Sequence, residues 1–107
     1  MVVQKKEDSF PKGPPLRKRL EVSMNEKLGI IAIIVETGSG DTIKSINELL
    51  HEERDIIVGR LGIPYPKRGL SLISIVVDGE QDKINALSGK LGMLDDVTVR
   101  TTLAGDL

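Results

Sequence analysis

The stretch Thr37-Gly38-Ser39-Gly40-Asp41 is the part of this chain best suited to hold a small molecule. It is followed by a helix-patterned segment, and its glycines leave backbone N–H groups uncovered. Such groups at a helix start can receive a carboxylate or a phosphate. Gly38, Ser39, Gly40 and Asp41 are therefore ligand-binding candidates, and Asp41 is also a candidate N-cap. An ordinary capped turn would use the same residues. Gly79-Glu80-Gln81-Asp82 is a second, less suited turn. Tyr65, in a loop from Gly62 to Gly69 with two prolines, either lids the core edge or touches a ligand or a neighbouring subunit. His51 is the single histidine and the one metal candidate. With no cysteine beside it, one copy has too few ligands, so no metal or other cofactor is expected. Glu36, Asp41, His51 and Asp78 are the acid/base candidates. No nucleophile–base pair links them, and no enzyme is expected.

The elements that must position these residues begin with Leu28-Gly29-Ile30-Ile31-Ala32-Ile33-Ile34-Val35, apolar at both parities. Leu70-Ser71-Leu72-Ile73-Ser74-Ile75-Val76-Val77 is nearly the same. Such strands seek cover on both faces. After the first turn a helix is predicted over Thr42–Arg54, with Ile43, Ile46, Leu49 and Leu50 on one stripe. An edge strand follows over Asp55–Leu61. A second helix is predicted over Asp82–Leu91, with Ile84, Leu87, Leu91 and Leu94 on one stripe. Gly89 inside it weakens a helix by about 1 kcal/mol relative to Ala. It implies close backbone approach to the sheet or to another subunit, and Gly92 is a candidate left-handed cap. A half-exposed strand spans Val97–Leu103.

Strand-turn-helix-strand thus occurs twice, in the order βαββαβ. Right-handed crossovers put both helices on one face, and the split βαβ arrangement puts strands one and three in the centre. The fold class is α+β: a ferredoxin-like two-layer sandwich with a four-stranded antiparallel sheet. Residues 28–103 form this domain, 1–27 a flexible basic tail with prolines, and 104–107 a short tail. Residues 1–27 carry seven Lys/Arg and four Asp/Glu, a balance of +3, against eight and twelve, −4, in the remainder. Arg17-Lys18-Arg19 could touch phosphate, but three adjacent charges read first as a solvated tail. Met24 is a candidate start of the natural chain.

Helices on one face leave the other face of the sheet open. The sequence leaves open which parity faces the helices; with Ile30, Ala32, Ile34, Leu72 and Val76 taken as the open side, these aliphatic positions would form a patch larger than a soluble monomer usually shows. Burying it stabilises by roughly 8–10 kcal/mol per copy before association costs. The expected partner is therefore a second copy, as a homodimer or homotetramer, with folding-back of residues 16–24 as the alternative cover.

Composition removes several classes. The only aromatics are Phe10 and Tyr65, which argues against a stacking platform for single-stranded nucleic acid. The longest apolar run is about eight residues, against the ~20 of a spanning helix. No secretory signal is visible. No membrane association is expected, and a cytoplasmic location is.

Arg60-Leu61-Gly62-Ile63-Pro64-Tyr65, the strand Leu72–Val77, and Asp82-Lys83-Ile84-Asn85-Ala86-Leu87-Ser88-Gly89-Lys90-Leu91-Gly92 with Val97-Thr98-Val99-Arg100-Thr101 resemble the regulators of the iron-only hydrogenase system. The resemblance covers Met24–Leu103. It implies an ACT-like fold similar to the sensing domain of the nickel-responsive regulator, a role in transcriptional regulation or maturation, and a small-molecule effector near the first strand-helix turn. The nickel sensors bind metal through His and Cys, which this chain scarcely has. It also lacks their DNA-binding segment, so direct DNA binding is not expected. The alternative function is a protein–protein interaction scaffold with no small ligand.

Overall fold

A computed structural model describes residues 2–5 and 26–104 of the chain, the first of these as backbone only. Five strands form one antiparallel sheet: β1 (Val2–Lys5), β2 (Glu26–Glu36), β3 (Ile57–Tyr65), β4 (Leu70–Glu80) and β5 (Val97–Ala104). Two helices, α1 (Gly40–Glu52) and α2 (Gln81–Gly92), complete it. The strand order is β1-β3-β4-β2-β5. From β2 onward this is the ferredoxin-like βαββαβ sandwich, with its first and third strands, β2 and β4, inside.

The two apolar parities of the central strands divide cleanly. Ile31, Ile33 and Val35 of β2 and Ile75 and Val77 of β4 are buried, with at most 1% of their surface exposed. They share a core with Ile46 and Leu50 of α1 and Ile84, Leu87 and Leu91 of α2. Both helices therefore cover the same face. The stripes at three- and four-residue spacing that define these helices are the residues they bury. A hydroxyl pair, Ser88 to Thr101 at 2.6 Å, adds a polar tie between α2 and β5.

Several boundaries differ from the sequence reading, each for a physical reason. Val2–Lys5 is not part of a tail. It pairs with β3 in the register Val2↔Gly62 to Lys5↔Gly59 and adds a fifth strand. Arg17-Lys18-Arg19, Met24 and residues 16–23 lie outside the described residues. β3 begins only after a single 3-10 turn, Arg54–Ile56, and runs through Gly62 and Pro64 to Tyr65. Pro64 lies past the stretch that β1 covers, where β3 is the sheet's edge and a missing N–H is tolerated.

The turn expected at Gly79–Asp82 is absent. β4 continues to Glu80 and α2 starts at once at Gln81. Gly79 is needed for a close approach instead. A Cβ there would stand 2.7 Å from Ile56 Cγ2 and 3.1 Å from Ile56 Cβ. Ile56 is buried, and its Cβ cannot swing away as a flexible tip could. Gly79→Ala is expected to destabilise the fold by about 1–3 kcal/mol, the usual effect of overpacking, read from urea unfolding.

Gly89 and Gly92 also depart from expectation. A Cβ on Gly89 would meet nothing within 4 Å, so no element among the described residues approaches it closely. Gly92 is the last helical residue and not a left-handed cap; the helix closes on Met93 at φ −84°.

Candidate functional site

Three turns meet at one end of the sheet. The Thr37 N–H donates to the Gly69 carbonyl at 2.8 Å, and the Glu36 N–H to the Asp96 carbonyl at 3.2 Å. The Ser39 hydroxyl donates to Asp96 Oδ2 at 3.2 Å. The segments after β2, before β4 and before β5 are thereby tied together. Each also contains a left-handed residue: Gly38 at φ 96°, Gly69 at φ 66° and Asp96 at φ 61°. Asp is among the few side chains that tolerate this conformation.

Gly38, Ser39, Gly40 and Asp41 form one continuous stretch from this junction into α1. The N-cap is Ser39, not Asp41: the Ser39 carbonyl accepts the Ile43 N–H at 2.9 Å. Its hydroxyl is committed to Asp96 and makes no capping bond to its own helix. The first N–H groups of a helix have no intrahelical acceptor. Asp41 lies in the first turn, where a carboxylate favours the helix dipole. A Cβ added at Gly38 or Gly40 meets nothing within 4 Å, so the stretch faces open space among the described residues. Its surroundings combine backbone donors with the carboxylates of Asp41 and Asp96. That combination suits a ligand carrying both an anionic and a cationic group better than a multiply charged anion.

Asp96 is not among the residues that the sequence singles out. Asp95-Asp96 directly before a strand is the available signal, since Asp favours such turns. Tyr65 stands at the same end of the sheet, opposite Leu70, which is opposite Glu36. Its side chain is 41% exposed. Its register places it with Leu61 and Ile63 on the side of the sheet away from the helices, so it does not share the helix-side stretch Gly38–Asp41.

The remaining acid/base residues are scattered. Asp78 pairs with Leu28 at the opposite end of β4 from Glu36. His51 is exposed near the end of α1, and its carbonyl accepts from Arg54 Nη1 at 2.9 Å. Among the described residues no three His, Cys, Asp or Glu come together to hold a metal ion.

The side of the sheet away from the helices is apolar. Ile30, Ile34, Leu72 and Val76 are 49%, 40%, 37% and 40% exposed. The register sets Ile30 opposite Val76, Ala32 opposite Ser74 and Ile34 opposite Leu72. Large pairs therefore flank one small pair. The result is a shallow hollow of about 240 Å³ lined by Ala32, Ile34, Leu61, Ile63, Leu72 and Ser74. Thr98, Arg100 and Thr102 of β5 continue the same rows. No helix among the described residues is long and apolar enough to cross a membrane.

Comparison with known proteins agrees with this architecture. Residues 27–101 match the TM1266-like family model, described as "Iron-only hydrogenase system regulator, putative". The chain belongs to this family. A solved structure, "uncharacterized protein TM1266" from Thermotoga maritima, superposes with a TM-score of 0.70 at 34% identity, covering 74% of this chain and 98% of that one. Two curated relatives are each called "Putative nickel-responsive regulator". The Pyrococcus horikoshii protein is 34% identical and the Pyrococcus abyssi protein 30% identical, each over 82 residues. That match takes in 77% of this chain but spans only 59% of each relative's length. Family and relatives alike bear names of regulators.

Proposed function

We propose that the chain is an oligomeric regulatory module of the iron-only hydrogenase system that senses a small ligand where subunits meet. The observation that carries the reading is the exposed aliphatic face of β2 and β4, with Ile30, Ile34, Leu72 and Val76 each more than a third exposed. The core of the described residues lies on the other side of the sheet, so this face adds nothing to that core. A second copy would bury it. The Gly38–Asp41 stretch, facing open space beside Asp96, is the ligand end of the module.

Nickel belongs to the names of the Pyrococcus relatives. With one histidine and no cysteine here, a nickel site would draw donors from more than one copy. A zwitterionic metabolite, with one anionic and one cationic group, fits the backbone donors and carboxylates of the turn without that requirement.

The test is thermal unfolding of the protein with amino acids, nucleotides and nickel in turn. A bound ligand at 100 times its Kd adds about 2.7 kcal/mol of stability. The matching ligand is expected to raise Tm, and Gly38→Val, which strains a residue at φ 96°, to abolish the rise. Absence of any shift, together with co-purification of a partner protein, would instead support the scaffold reading.

A further inference from the structure

β1 lies outside the stretch shared with the family. The family match begins at residue 27, whereas β1 is Val2–Lys5. From β2 onward the sheet would end at β3, leaving that strand's outer backbone groups unpaired. Exposed edges of this kind accept another strand. The chain covers four of the nine β3 residues, Gly59 to Gly62, with its own N-terminal strand.

We propose that the outer edge of β3 is a strand-docking site and that, in the associated protein, its occupant is the Val2–Lys5 strand of a second copy. The proposal rests on self-association of the protein and goes beyond it by exchanging an element between copies. Three observations carry it. First, the second copy's strand is chemically identical to the one already seated, so the site's fit to it is on view in the pairing with Gly59–Gly62. Second, β1 is four residues long and, among the described residues, has β3 as its single neighbour in the sheet. Such a short terminal ladder is among the least stable units of a fold. Third, the connection is long. Lys5 is opposite Gly59, Gly59 opposite Val76 and Val76 opposite Ile30, which puts Lys5 three strands from β2. Three inter-strand steps of ~4.8 Å and four residues along β2 separate Lys5 from Glu26 by about 20 Å. The residues numbered 6–25 could span about 70 Å when extended.

A connection with that much slack reaches a neighbour's β3 as well as its own. Between free copies the tether favours its own edge, because the effective concentration of a tethered strand is in the millimolar range. Once copies are held together, the partner's edge is presented at a similar concentration and that advantage fades. Exchange of an identical element is a low-cost route to linked subunits.

The absence of cysteine makes the test clean. Gln4 and Arg60 are register partners. Cα atoms of paired antiparallel residues lie ~4.5–5.5 Å apart, within disulfide range. Full-length chains carrying Gln4→Cys alone and Arg60→Cys alone are mixed at a concentration where sedimentation shows association, then oxidised. Exchange predicts the mixed disulfide, joining position 4 of one copy to position 60 of another, at no less than about five-fold over either same-position link, since only register partners meet disulfide geometry. The double variant, oxidised in the associated state, is expected to give linked dimers, and after dilution to monomers an internal link. If the mixture sediments as an oligomer yet yields mixed links only at the random share, while the double variant closes within one chain, exchange is overturned and self-association stands. If both single variants and the unmodified chain sediment as monomers, self-association itself has failed and exchange falls with it.

Discussion

Val76→Lys is expected to convert the associated protein into folded monomers. Val76 stands opposite Ile30, one of the two large pairs of the apolar face, and both are well exposed in one copy. In the free protomer a lysine there extends into water and disturbs nothing. Sheets packed face to face lie ~10 Å apart, so a partner would close over the ammonium group. An unpaired buried charge destabilises by several kcal/mol. On this face Arg100 of β5 is itself a cation, and Asp78, two residues along β4, is the carboxylate nearest in register and offsets the new charge only in part. Two-fold packing would also place the substitution in both copies. The dissociation constant is expected to rise at least ~100-fold, equivalent to about 2.7 kcal/mol. Sedimentation velocity across a dilution series measures it, with far-UV circular dichroism confirming the fold. Val76→Thr, of similar shape but uncharged, is expected to weaken association far less. Association unchanged by Val76→Lys would move the interface elsewhere.

The same alternation explains how much of the fold was legible in the sequence. Two strands apolar at both parities can only be central, and two helical stripes can only cover one face of a split βαβ sheet. The order and the buried residues follow from those facts. Which parity faces the helices does not follow, because Ile30-Ile34 and Ile31-Val35 look alike on paper. The structure resolves it through register: Ile31 and Ile75 face each other in the core, Ile30 and Val76 outside it.

The misread boundaries share a cause. Gly79, Gly62 and Pro64 are turn formers by local preference, yet each lies inside a strand. Tertiary packing overrode that preference. Gly79 admits Ile56, and Pro64 sits at an edge where no further ladder bond is required. Strand β1 was hidden by its setting. Val2-Val3-Gln4-Lys5 is short, and the charged, proline-containing sequence that follows marks the whole stretch as tail. Only the unpaired edge of β3, a feature of the folded sheet, gives those residues a place. In the candidate site the glycines and Ser39 were legible as a helix entry. Asp96 was not, because its contact with Ser39 joins positions 57 residues apart.

Ile75→Ala is expected to have the largest effect on the protomer itself. Ile75 is fully buried on β4, directly beside Val76, with Ile31 opposite on one neighbouring strand and Arg60 on the other. The truncation removes buried aliphatic carbon from a core filled by Ile, Leu and Val and leaves a cavity there. Substitutions of this kind destabilise by about 2–5 kcal/mol. That is a large fraction of the ~5–15 kcal/mol total of an ordinary domain. At about 4–8 °C per kcal/mol for a domain of this size, Tm should fall by about 10 °C or more. Ile75→Val is expected to lose only about 0.5–1.5 kcal/mol. Val76→Ala, one residue along and on the other face, should stay within about 0.5 kcal/mol in the monomer, as surface substitutions do. The comparison is made by urea unfolding below the association concentration, so that interface effects do not enter. Equal losses at the two positions would mean that both faces of β4 are packed within a single copy. The open face, and the reason for a second copy to bind it, would then be gone.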